Sequence, residues 1–230
     1  MASKFAVVGL FALVLTLVVF GFNDADLVVQ NLFFDAATSS WMVSKQAPLE
    51  RLVFYTGPKA LIICFGIACV VALIASPRWP WAARRRRALL IVVLSLIIVP
   101  SLVGGLKTAT NVACPANLET YGGTLPHVPL FDAYPPDDRP EKTQRCFPAG
   151  HASGGFALLS LVVLFTERRR QYQAAGFAIL VGTIMGVYKM AIGDHFLSHV
   201  LVTFELAVIV VVGLTSAVRR FVPARFDRQE

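Results

Sequence analysis

Apolar residues along this chain come in long blocks separated by short polar or basic joints. Six blocks predict helices that cross a bilayer: residues 5–22, 57–76, 88–106, 151–167, 174–192 and 197–217. A bilayer core takes about 20 mostly apolar residues per helix, so the fourth block is short, and the last two nearly touch. The predicted fold class is all-α, an integral membrane six-helix bundle forming one domain over residues 1–230. Residues 26–55 mix apolar and polar positions at roughly helical spacing, which predicts one or two helices along the outer surface, divided at Pro48. Residues 107–150 are polar and hold seven prolines from Pro115 to Pro148, too long a stretch for a passive connection.

Composition agrees with this pattern. With 56% hydrophobic residues, 15% charged residues and a mean hydropathy of +0.66, the chain is excluded from the ordinary soluble class. No small-x-small cleavage site follows the first block, so a retained anchor is expected rather than a removed signal peptide.

Charge sets the expected orientation. Thirteen of the 21 basic residues, namely Lys4, Arg78, Arg84 to Arg87, Arg168 to Arg170, Arg219, Arg220, Arg225 and Arg228, fall in short joints beside helix ends if the N-terminus is cytoplasmic. The other eight are spread over longer outer segments among most of the acids. Both termini are therefore expected in the cytoplasm, in a bacterial inner membrane. The net charge of +7 then reflects topology, and no nucleic-acid partner is expected, because no aromatic-studded soluble domain surrounds the arginines. Those arginines favour anionic lipid head groups of the inner leaflet, and Trp79 and Trp81 beside them suit head-group depth.

The cysteines sort by place. Cys64 and Cys69 lie within the second block as small apolar fillers. Cys114 and Cys146 lie near the two ends of the outer loop, where an oxidising periplasm allows a disulfide, with two free thiols as the alternative. Closing that loop is worth roughly 3.5 kcal/mol by chain entropy.

Chemistry gathers at the outer ends. Lys107, His151, Lys189, His195 and His199 all land at the outer membrane surface although they span more than ninety residues. His127, in the middle of the loop among prolines, reads as a solvated surface residue. Three stretches, "KTATNVACP", "PAGH" and "YKMAIGDHFLSH", together resemble the signatures K-x6-R-P, P-S-G-H and S-R-x5-H-x3-D of the type 2 phosphatidic acid phosphatases, membrane relatives of bacterial acid phosphatases and vanadium haloperoxidases. Lys107 and Pro115 match the first, Pro148, Gly150 and His151 the second, and His195 the third. Cys114, Ala149, Tyr188-Lys189 and His199 depart from the pattern, replacing arginine, serine, Ser-Arg and aspartate, so the resemblance is to a divergent member. It covers Lys107 to His199 with flanking helices, motifs 1 and 2 in 107–150 and motif 3 in 188–199.

The resemblance implies that His195 is the nucleophile, forming a phosphohistidine, and that His151 protonates the leaving oxygen and later activates water. His199, one helical turn on, is placed to orient His195, with Asp194 or Glu205 as compensating acids. A phosphate monoester carries close to two negative charges, so the site needs cations and donors. Lys107, Lys189, the N-H groups at Gly150 and His151, Arg145 if the disulfide draws it in, and the weaker donor Asn111 are the phosphate-binding candidates.

No cofactor is expected. A competing reading has His195 and His199 hold a metal with His151 or Asp194. The expected function is hydrolysis of a lipid-linked phosphate or diphosphate of the lipid A, undecaprenyl diphosphate or phosphatidylglycerol phosphate type. Lipid-to-lipid phosphate transfer, or a degenerate lipid-phosphate-binding protein, is the alternative.

Overall fold

The structure is a computed structural model that describes residues 2–223 and 226–227; Arg225 and Arg228 of the expected basic end lie outside the described residues. Among the described residues, five helices are long and apolar enough to cross a membrane. They are α1 (Ala2–Gly21), the helix from Pro48 to Ile74, α6 (Arg86–Ala109), α8 (Arg168–Ala191) and α9 (Leu197–Phe221). The chain is thus an all-α, multi-pass membrane bundle.

The fourth predicted span is shorter than a full crossing. It starts as α7 (Gly150–Ala157), tightens into a 3-10 stretch at Leu158–Leu164, and stops where Phe165 turns extended. At about 1.5 and 2.0 Å per residue the two pieces reach roughly 26 Å, against a bilayer core of about 30 Å. Small residues let this piece sit at the centre. A Cβ on Gly155 would come within 2.6 Å of the Gly182 Cα, and one on Gly186 within 2.6 Å of Val200. Together with buried Ala174 and Ala178, Gly182 and Gly186 form a small-residue stripe along α8 that admits α7 and α9.

Residues 26–55 follow the expected surface helices only in part. The short helix α2 (Ala25–Gln30) runs into a 3-10 turn at Asn31–Phe33. It is followed by an antiparallel hairpin pairing β1 (Phe34–Asp35) with β2 (Ser40–Trp41) around a turn in which Ser39 takes φ +50°. Pro48 does not divide two surface helices. It opens the second span as the first residue of α3 (Pro48–Arg51), where its missing N-H costs nothing. That span continues through a π-helical stretch, Leu52–Thr56, into α4 (Gly57–Ile74). A short α5 (Pro80–Ala83) then turns the chain into α6.

The main core lies around α7, where Val99, Ala152, Phe156, Ala178, Met190 and Val200 are buried together. Outward-facing side chains such as Phe11, Leu61, Ile74 and Leu180 are more than half exposed, as suits helices bathed in lipid. Helix α1 runs antiparallel to α9: Gly9 packs on Val208 and Ile209, and Thr16 donates to Glu205 Oε1 at 2.6 Å. The start of α1 and the end of α9 therefore share the face that carries Arg84 to Arg87, opposite the histidines.

Candidate active site

Three backbone joints bring the motifs together. Gly193 takes φ +75° and lies against the Trp41 ring, where a Cβ would collide; the amides of Asp194 and His195 both turn back to the Lys189 carbonyl, at 2.8 and 3.3 Å. This tight turn puts Lys189 and His195 on one side. The Ala149 amide donates to the His199 carbonyl at 3.1 Å, and Thr203 Oγ1 donates to the Ala149 carbonyl at 3.3 Å, which ties the "PAGH" segment to α9. Thr110 Oγ1 donates to the Phe147 carbonyl at 2.6 Å, fixing the same segment to the end of α6, beside Lys107.

The outcome is a cluster. The rings of His151 and His195 stand 6.1 Å apart, and those of His195 and His199 5.7 Å apart. His199 Nδ1 lies 3.4 Å from His195 Nδ1. Lys107 Nζ lies over the start of α7, 3.4 Å from where a Gly150 Cβ would be. Lys189 is 10% exposed and holds Asp194 Oδ2 at 2.8 Å, while Lys45 holds Asp194 Oδ1 at 2.7 Å.

Electrostatics follow from that packing. Burial, then the neighbouring His199 and Lys107, push the His195 pKa well below the ordinary histidine value, so its ring is neutral and keeps a lone pair. Burial alone would raise Asp194, but the bonds from Lys189 and Lys45 outweigh it and hold the carboxyl below its usual range.

Cys114 and Cys146 are bonded, with Cα atoms 5.1 Å apart. Cys146 Sγ lies 3.6 Å from His195 Nδ1. Cys146, His195 and His199 are close enough to suggest a metal trio. A sulfur committed to a disulfide supplies no thiolate, however, so two imidazoles remain, one fewer than the three protein ligands of a catalytic zinc. His151 Nε2 is taken by a tyrosine and Asp194 by two lysines.

Several expected residues stand elsewhere. The disulfide forms, yet Arg145 stays exposed and makes no side-chain hydrogen bond or ion pair among the described residues. Asn111, at φ +46°, accepts the Gln144 amide at 2.7 Å and so braces the loop. Glu205 bonds Thr16 and joins α1 to α9 instead of supporting the histidines. His127 is half-buried rather than solvated: it lies 3.5 Å from Asp24 and edge-on to Phe196.

Other residues enter unannounced by any motif. Tyr55, carried on the π-helical turn, reaches His151 Nε2 with its hydroxyl at 3.0 Å, and its ring lies 4.5 Å beneath Lys189 Nζ. Asp26 accepts the Ser198 amide at 3.0 Å and also the Ser198 hydroxyl, and Gln30 Nε2 donates to the Met190 carbonyl at 2.9 Å. The one available signal was a set of polar residues scattered through an otherwise apolar outer segment.

The model of the PAP2 superfamily matches residues 88–223, which contain all three histidines and both lysines of the motifs. The chain belongs to the PAP2 superfamily. No curated protein and no solved structure matches it. PAP2 proteins are generally phosphatases acting on phosphate esters, often of lipids. In this PAP2 chain, Asp26, Gln30, Lys45 and Tyr55 lie outside the matched stretch yet touch the motif residues directly or through one neighbour.

Proposed function

We propose that this protein hydrolyses a lipid-linked phosphate or diphosphate through a phosphohistidine on His195, as one catalytic unit over the whole chain, with the site facing the periplasm. The observation that carries the reading is the 6.1 Å separation of the His151 and His195 rings, with Lys107 and Lys189 beside them. Two imidazoles at that spacing can flank a single phosphorus atom.

The neutral His195 ring attacks the phosphorus with Nε2, while Nδ1 faces His199. As the phosphorus-oxygen bond breaks, His151, protonated beside the bound dianion, gives its Nε2 proton to the leaving oxygen. Neutral His151 then takes a proton from water, whose oxygen displaces His195 and releases phosphate. Lys107, Lys189 and the first amides of α7 neutralise the equatorial oxygens. Tyr55 Oη stands where the leaving oxygen must approach His151, so substrate displaces it.

A lipid substrate is supported by an apolar groove of about 540 Å³ between α4, the 3-10 continuation of α7 and α8, lined by Phe54, Leu61, Phe65, Leu161, Phe177 and Ile184. Its outer end begins at the residue before Tyr55, so a tail in the groove brings its head group to the histidines. The basic joints opposite the histidines support a periplasmic site.

The test is phosphate release from a panel of lipid A, undecaprenyl diphosphate and phosphatidylglycerol phosphate substrates in detergent. Release that vanishes in His195→Ala and persists in EDTA is expected. Release abolished by EDTA would overturn the metal-free mechanism, and retained binding without release would make the protein a lipid-phosphate-binding member. Phosphate appearing on an acceptor lipid instead of in water would make it a transferase.

A further inference from the structure

The proposed chemistry leaves one charged cavity unused. It lies at the other end of the bundle, about 670 Å³ in volume, and is lined by Arg84, Arg85, Arg87 and Arg219 with Ile91 and Leu164 below them. Helix α6 separates it from Lys107 by most of its 24 residues, about 30 Å at 1.5 Å per residue. The cavity is therefore remote from the histidines and independent of the proposed reaction.

Its construction shows what it takes. Asp227 is the one acid among its described lining residues, and that carboxylate receives both the Arg87 backbone N-H at 2.9 Å and the Arg87 Nε at 2.6 Å. The first turn of α6 and a guanidinium thus already grip one oxyanion between them. Arg85 is held over the Trp81 ring at 5.4 Å, and Trp81, half exposed, is a head-group-depth anchor. Below the arginines the wall turns apolar, through Ile91, Val163 and Leu164. A soluble anion has no use for that lower wall, whereas a phospholipid does.

We infer that this cavity binds an anionic phospholipid of the adjacent leaflet, its phosphate between Arg85 and Arg219 and the start of an acyl chain against Ile91, Val163 and Leu164. Basic pockets between transmembrane helices suit such head groups. The bound lipid joins the ends of α6, of the 3-10 continuation of α7, and of α9. Those three elements carry Lys107, His151 and His199 at their other ends, so the lipid stabilises the frame of the site without being its substrate.

The experiment titrates the full chain in nonionic detergent with phosphatidylglycerol, phosphatidylcholine or inorganic phosphate, reading bound lipid by native mass spectrometry and thermal unfolding. Phosphatidylglycerol is expected to bind and raise the unfolding temperature. Arg85→Gln/Arg219→Gln weakens that binding tenfold or more, and single Arg219→Glu gives the same direction should the double variant fold poorly. Arg168→Gln/Arg169→Gln removes equal charge from exposed positions outside the cavity and should stay within twofold of wild type. Equal losses in both double variants, equal binding of phosphatidylcholine, or full reproduction of the thermal shift by inorganic phosphate would each overturn the inference.

Discussion

Asp26 caps a helix 172 residues away in sequence: its carboxylate accepts the Ser198 amide at 3.0 Å as well as the Ser198 hydroxyl. The residue at the N-cap position of α9 is Phe196, which has no capping side chain, so the start of the helix that presents His199 is completed from the other end of the chain. Burial outweighs both bonds and pushes the Asp26 pKa up to about 6. A carboxyl whose folded pKa is raised favours folding when protonated. That contribution is complete below the unfolded value near 3.8 and is lost as pH rises through about 6.

Asp26→Ala should therefore destabilise the protein by about 1–2 kcal/mol, the loss of a cap and a buried acceptor. Asp26→Asn keeps an acceptor for the Ser198 amide and should match wild type near pH 7. The gain in stability that wild type shows between pH 7 and pH 5 should shrink in Asp26→Asn. Thermal unfolding at both pH values checks this, and an unchanged pH dependence would remove Asp26 as its source.

Lys189 stands where the resembled signature has arginine, and Asp194 holds its ammonium, a point charge in place of a two-pronged fork, at 2.8 Å. Lys189→Ala should lower kcat/KM by a factor of about 100 or more, the cost of one charge-stabilising donor. Lys189→Arg should stay within about threefold of wild type, because it restores the fork. Steady-state kinetics on the best lipid phosphate of the panel decides; an arginine variant as inactive as alanine would show that the Lys45, Asp194 and Lys189 chain is specific to an ammonium.

Tyr55 separates ring from hydroxyl. Tyr55→Phe keeps the ring under Lys189 and removes only the bond to His151, so kcat/KM should change by less than about threefold. Tyr55→Ala loses the cation-π contact, worth roughly 1–2 kcal/mol in a desolvated site, and should raise KM about tenfold. A hundredfold fall of kcat in Tyr55→Phe would instead make the hydroxyl a proton carrier in the reaction.

The disulfide encloses 32 residues of sequence separation and places Cys146 against His195. Cys114→Ser/Cys146→Ser should cost about 3.5 kcal/mol of stability by loop entropy and lower activity together with it. A lipid-permeant thiol reagent should reach Cys64, which lies on the outer face of its span, before Cys69, which is buried. Labelling of Cys114 or Cys146 without reductant would refute the cross-link.

Much of the fold was legible because a lipid environment leaves few choices: long apolar blocks must close their own backbone hydrogen bonds as helices. The order of the three motifs likewise put their histidines and lysines on one face, since helix length and direction alone determine which ends meet. Residues 26–55 were read only in part, as α2 forms but Pro48 opens a span and a hairpin intervenes, because short mixed segments carry no decisive period, and the hairpin at Phe34–Trp41 packs its Trp41 ring against Gly193. Arg145 shows the limit of proximity along the chain: its neighbour Cys146 is buried in the cluster while its own side chain faces out.

Taken alone, the sequence determined the helical class, five of the six predicted spans and the chemical types gathered at one membrane face, since these depend on local hydropathy and on spacing. Tertiary structure alone decided that His199 Nδ1 faces His195 Nδ1, that Tyr55 reaches His151, and that Asp26, Gln30 and Lys45 hold the His195 turn. Such contacts join residues up to 172 positions apart, and local hydropathy does not specify them; they arise where packed helices and a close-fitting glycine bring distant side chains within reach.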